Sequence, residues 1–186
     1  TINNPYFSLT PGKRFLYESS TEKGMERTEV QVLKDTQSIM GVETVIYWER
    51  TWLDRELKKN SKKYFAQDAD GTVWLFGKEI TTYENGAQTG DADSWIAGVE
   101  GAQPGILIKA HPEVTDRYKQ EYLHDSAEGI SEVASVSETV KTSQNEFHNC
   151  IQTLDTTPLH EKQRQHSFYC PEAQTLVAIV DLETGK

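Results

Sequence analysis

Residues 42–53 read Val42-Glu43-Thr44-Val45-Ile46-Tyr47-Trp48-Glu49-Arg50-Thr51-Trp52-Leu53, and this stretch decides the fold class. Successive side chains of an extended strand point to opposite faces. One face then carries Val42, Thr44, Ile46, Trp48, Arg50 and Trp52, and the other carries Glu43, Val45, Tyr47 and Glu49. No apolar period of three to four residues, the mark of an amphipathic helix, competes with this alternation. The stretch is a long strand with one mainly apolar side.

The same alternation recurs on both sides of it. Thr28, Val30 and Val32 alternate with Glu29, Gln31 and Leu33. Near the C-terminal end, Leu176, Ala178, Val180 and Leu182 alternate with Thr175, Val177, Ile179 and Asp181. That segment is apolar on both faces over most of its length, which predicts a central strand. Turn signals fall between the runs. Asn85-Gly86 suits a type I′ hairpin turn, because both residues accept a positive φ. Asp70-Gly71 separates residues 62–67 from 72–76, Lys23-Gly24 separates 15–19 from 25–33, and Pro11-Gly12 precedes the first run. Residues 90–117, with Pro104, Pro112 and several glycines, read as a long irregular loop of the kind that covers a site. No repeat or composition break marks a second domain. The expectation is one all-β domain over residues 1–186: an antiparallel barrel, half-barrel or sandwich of roughly ten strands.

Composition narrows the classes of function. The 186 residues include four Trp, eight Tyr and six Phe, more than a disordered chain carries. Acidic residues outnumber basic ones 29 to 19, a net charge of −10, which argues against nucleic acid as the main partner. No apolar run approaches the ~18 residues of a membrane-spanning helix. The first residue is Thr1 and no basic, apolar leader is present, which fits an exported chain whose signal has been removed. The two cysteines suit one structural disulfide. A periplasmic, cell-surface or extracellular location follows as the expectation.

Several phrases also resemble a family of exported bacterial proteins with hypothetical or lipoprotein-like descriptions. They are NPYFSLTPGKRFLYE (4–18), YFAQDADGTVWLFG (64–77), WIAGVEGAQPGILI (95–108), DRYKQEYLHDSAEG (116–129), and TPL and QHSFY nearer the C-terminal end. They run in order through most of the chain. The resemblance implies export and a single domain, and it implies no activity, cofactor or catalytic residue. Cys170 departs from the family pattern, which has a small residue there.

Each candidate site has a plainer explanation beside it. Asp68-Ala69-Asp70-Gly71 invites a calcium loop, but Val73 stands where an EF-hand needs glycine, so a capped hairpin turn is preferred. Eight carboxylates lie between Glu113 and Glu146. Glu128 and Glu132 would share a strand face with Asp125 just before them, a set that could hold Ca²⁺, although a solvated acidic rim explains it as simply. Basic residues from Arg55 to Lys63 are explained by lysines guarding a strand end or hairpin tip, since no stacking aromatics accompany them within that run. Trp48 and Trp52 share one strand face, and Tyr118 and Tyr122 would share another. These four could line a cavity or simply fill a core. No GxSxG, HExxH, GxxxxGK[ST] or GxGxxG is present, so no catalytic residue is assigned.

Cys150 lies on run 147–154 and Cys170 directly follows run 164–169, and the two runs would pair as a hairpin. A tight turn centred on Pro158 places Cys150 opposite His166, leaving Cys170 too far to bridge. A wider loop centred near His160, with 161–164 as solvated loop, places Cys150 opposite Cys170. The same pairing brings His148 and His166 near the cysteines, so a soft-metal site for Zn²⁺ or copper is the rival to the disulfide. The expected function is non-catalytic binding of a small or apolar ligand in the concave face of the sheet, with no cofactor. A metal-binding envelope protein and a structural or protein-partner module are the alternatives.

Overall fold

The structure is a computed structural model that describes residues 1–91, 93–160 and 162–183. The described residues hold no helix; 65% of them are strand, in 15 strands forming three antiparallel sheets. None of the sheets closes into a barrel, and the arrangement fits the sandwich alternative.

In chain order the strands are β1 (Ile2–Asn3), β2 (Ser8–Leu9), β3 (Arg14–Thr21), β4 (Gly24–Ile39), β5 (Val42–Leu53), β6 (Glu56–Gln67), β7 (Val73–Glu84) and β8 (Ala87–Gly90). There follow β9 (Trp95–Ile96), β10 (Gly105–Ile108), β11 (Arg117–Lys119), β12 (Ile130–Lys141), β13 (Glu146–Thr156), β14 (Arg164–Cys170) and β15 (Thr175–Asp181). The chain divides into two compact units, described in turn. The first is Leu9–Ala66 and Phe76–Gln103, with Thr1; the second is Ile2–Ser8, Gln67–Leu75 and Pro104–Lys186.

In the first unit β3, β4, β5, β6 and β7 follow one another as hairpins, each strand beside the next. Alternation dictates which residues turn inward. Val30, Val32, Tyr47 and Phe65 are buried, and Tyr47 meets Phe65 edge-on at 5.8 Å between ring centroids. The turns use positive φ, at Met40-Gly41 (52° and 76°), Asp54-Arg55 (48° and 76°) and Asn85-Gly86 (50° and 77°). Of these three, Asn85-Gly86 alone carries the usual turn residues. Residues 95–97 are tied down: β9 pairs with β7, and Trp95 and Ala97 are buried.

In the second unit β11 to β15 form an ordered five-stranded sheet, while β10 pairs with Val73–Leu75 of β7. Ile108 is fully buried, which anchors the second half of the 90–117 segment as well. Asp68 caps its turn as expected: Oδ1 accepts the N–H groups of Asp70 and Thr72, and Oδ2 accepts the Trp74 indole N–H at 2.9 Å. The β13–β14 register runs from Ile151↔Tyr169 to Thr156↔Arg164, which is the wide-loop pairing. Cys150 and Cys170 form a disulfide with S–S 2.01 Å. Both are fully buried, with Val140, and Phe147, Phe168, Val177 and Ala178 pack round them. Of the expected solvated loop 161–164, Glu161 lies outside the described residues and Arg164 belongs to β14.

Two expectations are corrected here. β15 is the outermost strand of its sheet, not a central one, because two-sided apolarity reports the faces of a strand and says nothing of its edges. The lysines after Leu57 are not edge guards: β6 lies between β5 and β7. Lys59 and Lys63 instead reach Glu49 at 3.1 and 3.0 Å, Lys58 pairs with Glu56 at 2.9 Å, and Lys62 stays exposed.

Candidate ligand-binding face

One face of the β3–β6 hairpins is built by three cross-strand rows. Antiparallel register sets Arg14 beside Gln31, Gln31 beside Trp48, and Trp48 beside Lys62. The next row is Leu16, Glu29, Arg50 and Asn60, and the third is Glu18, Arg27, Trp52 and Leu57. A residue two positions along a strand returns to the same face, so Trp48, Arg50 and Trp52 form a column across these rows.

The column is locked by its own chemistry. The Arg50 guanidinium lies 4.3 Å from the Trp48 ring centroid and 5.2 Å from that of Trp52. A guanidinium over an indole face is attracted by the ring quadrupole, so the stack holds both indoles in place. Arg50 also donates to Glu29 at 3.2 Å, and Arg27 donates to the other Glu29 oxygen at 2.7 Å. The Trp48 indole N–H donates to the Asn60 side-chain carbonyl at 2.7 Å. Both tryptophans remain half-buried.

Beside this column lies a cleft of about 260 Å³, lined by Arg14, Leu16, Arg27, Glu29, Trp48 and Arg50 among others. Its charged lining residues are three guanidinium groups and one carboxylate. Glu29 already serves Arg27 and Arg50, while Arg14 makes no ion pair among the described residues. A cationic patch thus interrupts the surface of a chain whose net charge is −10. Apolar contact is present too, since Leu16 is 54% exposed at the cleft. An anion with a flat or apolar body finds both halves of its chemistry here.

The other sequence-chosen residues sit elsewhere. Tyr118 and Tyr122 belong to the second unit and do not share a strand face, because β11 ends at Lys119. Tyr118 is buried, with its hydroxyl donating to the Leu107 carbonyl at 3.4 Å. Tyr122 is exposed, with the Lys119 ammonium 3.9 Å from its ring centroid. A second cleft, of about 450 Å³, lies in the same unit beside Asn4, Tyr6, Asp70 and His111. Asn4 there is wholly engaged in holding loops: its amide donates to the carbonyls of Gly71 and Lys109, and its oxygen accepts the Tyr6 N–H.

The acidic set is also rearranged. β12 begins at Ile130, so Glu128 lies in the connection before it and shares no strand face with Glu132, whose backbone faces Arg117 and Leu154. Asp125 and Glu128 instead gather with His124, which the sequence reading omitted. His124 Nδ1 is 2.8 Å from Glu128 and 3.5 Å from Asp125. The hydrogen bond that His124 donates to Glu128, with the charge of Asp125, raises the His124 pKa above its usual value. The soft-metal alternative is overturned by the disulfide, which leaves no thiolate. Its two histidines have separate partners as well: His148 lies between Glu146 and Glu172, and His166 Nδ1 meets the Gln152 amide at 2.9 Å.

Sequence reasoning singled out Trp48 and Trp52 and missed Arg14, Arg27, Glu29 and Arg50. Arg50 was legible in principle, since it stands midway between the two tryptophans on their own face. The others required the register. No family model matches this chain, and comparison with curated proteins and with solved structures finds no match either.

Proposed function

We propose that this chain is a non-catalytic exported binding protein that takes a small anionic ligand with a flat or apolar body on the β3–β6 face. The observation that carries the reading is the Trp48–Arg50–Trp52 stack beside a cleft where Arg14 is left without an ion pair. Preorganised aromatic groups lower the ordering cost of binding, and an unpaired guanidinium offers a bidentate partner to a carboxylate or phosphate. A cleft of about 260 Å³ suits a small molecule or one unit of a larger one. Export is supported by the Cys150–Cys170 disulfide, since such bonds persist in oxidising compartments.

Tryptophan fluorescence tests the reading. Aromatic carboxylates, acidic monosaccharides and their neutral analogues should be titrated against the wild-type chain, Trp48→Ala and Arg14→Ala. A saturable change with the acids, weaker with the neutral analogues and lost in both variants, is the expected result. No saturable response to any acid would end the proposal. Among the described residues, the metal-binding reading is supported by the cluster of His124, Asp125 and Glu128. A melting screen with Ca²⁺, Zn²⁺ and Cu²⁺ separates it: a ligand of the native state raises the melting temperature, and Glu128→Gln should abolish that rise.

A further inference from the structure

We infer, resting on the reading just given, that the anionic ligand is a stretch of a linear acidic polysaccharide, a polyuronate, lying across β3 to β6. The first cross-strand row of the candidate face carries the argument: Arg14, Gln31, Trp48 and Lys62, one residue from each strand. Directly opposed residues share a face, so these four positions form one line. Neighbouring strands lie ~4.8 Å apart, so three intervals separate the two end positions by about 14 Å. Both end cations are uncommitted: Arg14 and Lys62 are exposed and make no ion pair among the described residues.

The line is longer than the cleft. Arg14, Gln31 and Trp48 border the cleft of about 260 Å³, and Lys62 stands beyond it on β6. A ligand confined to the cleft has no need of Lys62, whereas a polymer that fills the cleft and continues over Trp48 reaches it. Between the cations the row offers two further groups. The Gln31 side-chain amide makes no hydrogen bond among the described residues, and the Trp48 ring is fixed by Asn60 and Arg50. An amide suits sugar hydroxyls, and an aromatic ring suits the C–H face of a pyranose.

A polyuronate matches this row in spacing as well as in charge. Each pyranose unit advances its chain by about one strand spacing, so four units cross four strands and carry carboxylates to Arg14 and Lys62. A nucleic acid suits the face less, because its charge density calls for a basic chain and this one carries −10. The face also ends where the row ends. β3 is the last strand of its sheet. Beyond β6, the exposed Glu79 of β7 accepts the hydroxyl of Tyr64, which shares the face of Lys62, and the surface turns acidic. The site therefore holds about four units.

Calorimetric titration with oligogalacturonates of one to six units tests this on the wild-type chain, Lys62→Ala and Lys62→Arg, with circular dichroism to confirm folding. Wild-type affinity should rise about tenfold or more from the monomer to the tetramer and then level off, because linked contacts bind as one event. Lys62→Ala should bind the monomer as the wild type does and lose most of that rise, and Lys62→Arg should keep it. A monomer that binds as well as the tetramer would overturn the polymer inference and leave the small-ligand reading standing. No binding by any oligomer would overturn it too, and the fluorescence titration with small acids then decides whether that reading falls with it. A gain that persists in folded Lys62→Ala, a methyl-esterified tetramer that binds as tightly as the acid, or an oligothymidylate that binds more tightly would each overturn the inference.

Discussion

Glu49 lies 9% exposed on the face of β5 opposite the tryptophans, within 3.1 Å of Lys59 and 3.0 Å of Lys63. Burial alone would raise its pKa, but the two ammonium groups outweigh burial and bring it down to about 2. A carboxyl lowered in the folded state stabilises the fold above its unfolded pKa, near 4.5, and loses that contribution as pH falls toward 2. Glu49→Gln should therefore cost about 2–3 kcal/mol at pH 7. Denaturant unfolding at neutral and acid pH checks this, and the difference from wild type should shrink steadily below pH 4.5. An equal loss at every pH would sink the ionic account. Nothing in the sequence announced the triad. Its members stand 10 and 14 positions apart, and register alone makes Lys63 and Lys59 neighbours of Glu49 rather than guards of an edge.

At the scale of elements, alternation made β5 legible to its exact bounds, because a half-buried strand writes its two faces into every second residue. The turns flanking it were not legible. Met40-Gly41 and Asp54-Arg55 take positive φ with Met and Arg in places usually held by Asn, Asp or Gly. The short strands inside residues 90–117 were hidden likewise, since two residues of β9 cannot establish a period. The β13–β14 hairpin was legible because one covalent demand selected between two loop centres. Its disulfide closes a separation of 20 residues. Reduction, or the paired change Cys150→Ala and Cys170→Ala, should lower stability by about 3 kcal/mol through the freed unfolded chain. Thermal melting with and without reductant measures it. An unchanged midpoint would mean that the ladder and the Val140–Phe168 cluster hold the hairpin unaided. The candidate face was half legible: its aromatic column lies on one strand, whereas its cations come from three.

The whole molecule carries a net charge of −10 at pH 7 and has an isoelectric point near 5.0. Like charge keeps copies apart at neutral pH and fades as the isoelectric point is approached. Solubility should thus fall between pH 7 and pH 5, with light scattering at fixed concentration rising as the net charge is lost. Scattering that ignores pH over this range would count against the role given to net charge. The disulfide has one more consequence. Cys150 and Cys170 stand on opposite sides of the 157–163 connection, on strands already laddered to each other. Continuity of the polypeptide through that connection is redundant. A protease cut there would yield two fragments on a reducing gel and one band without reductant, and the β11–β15 sheet would outlast the breaking of its own chain.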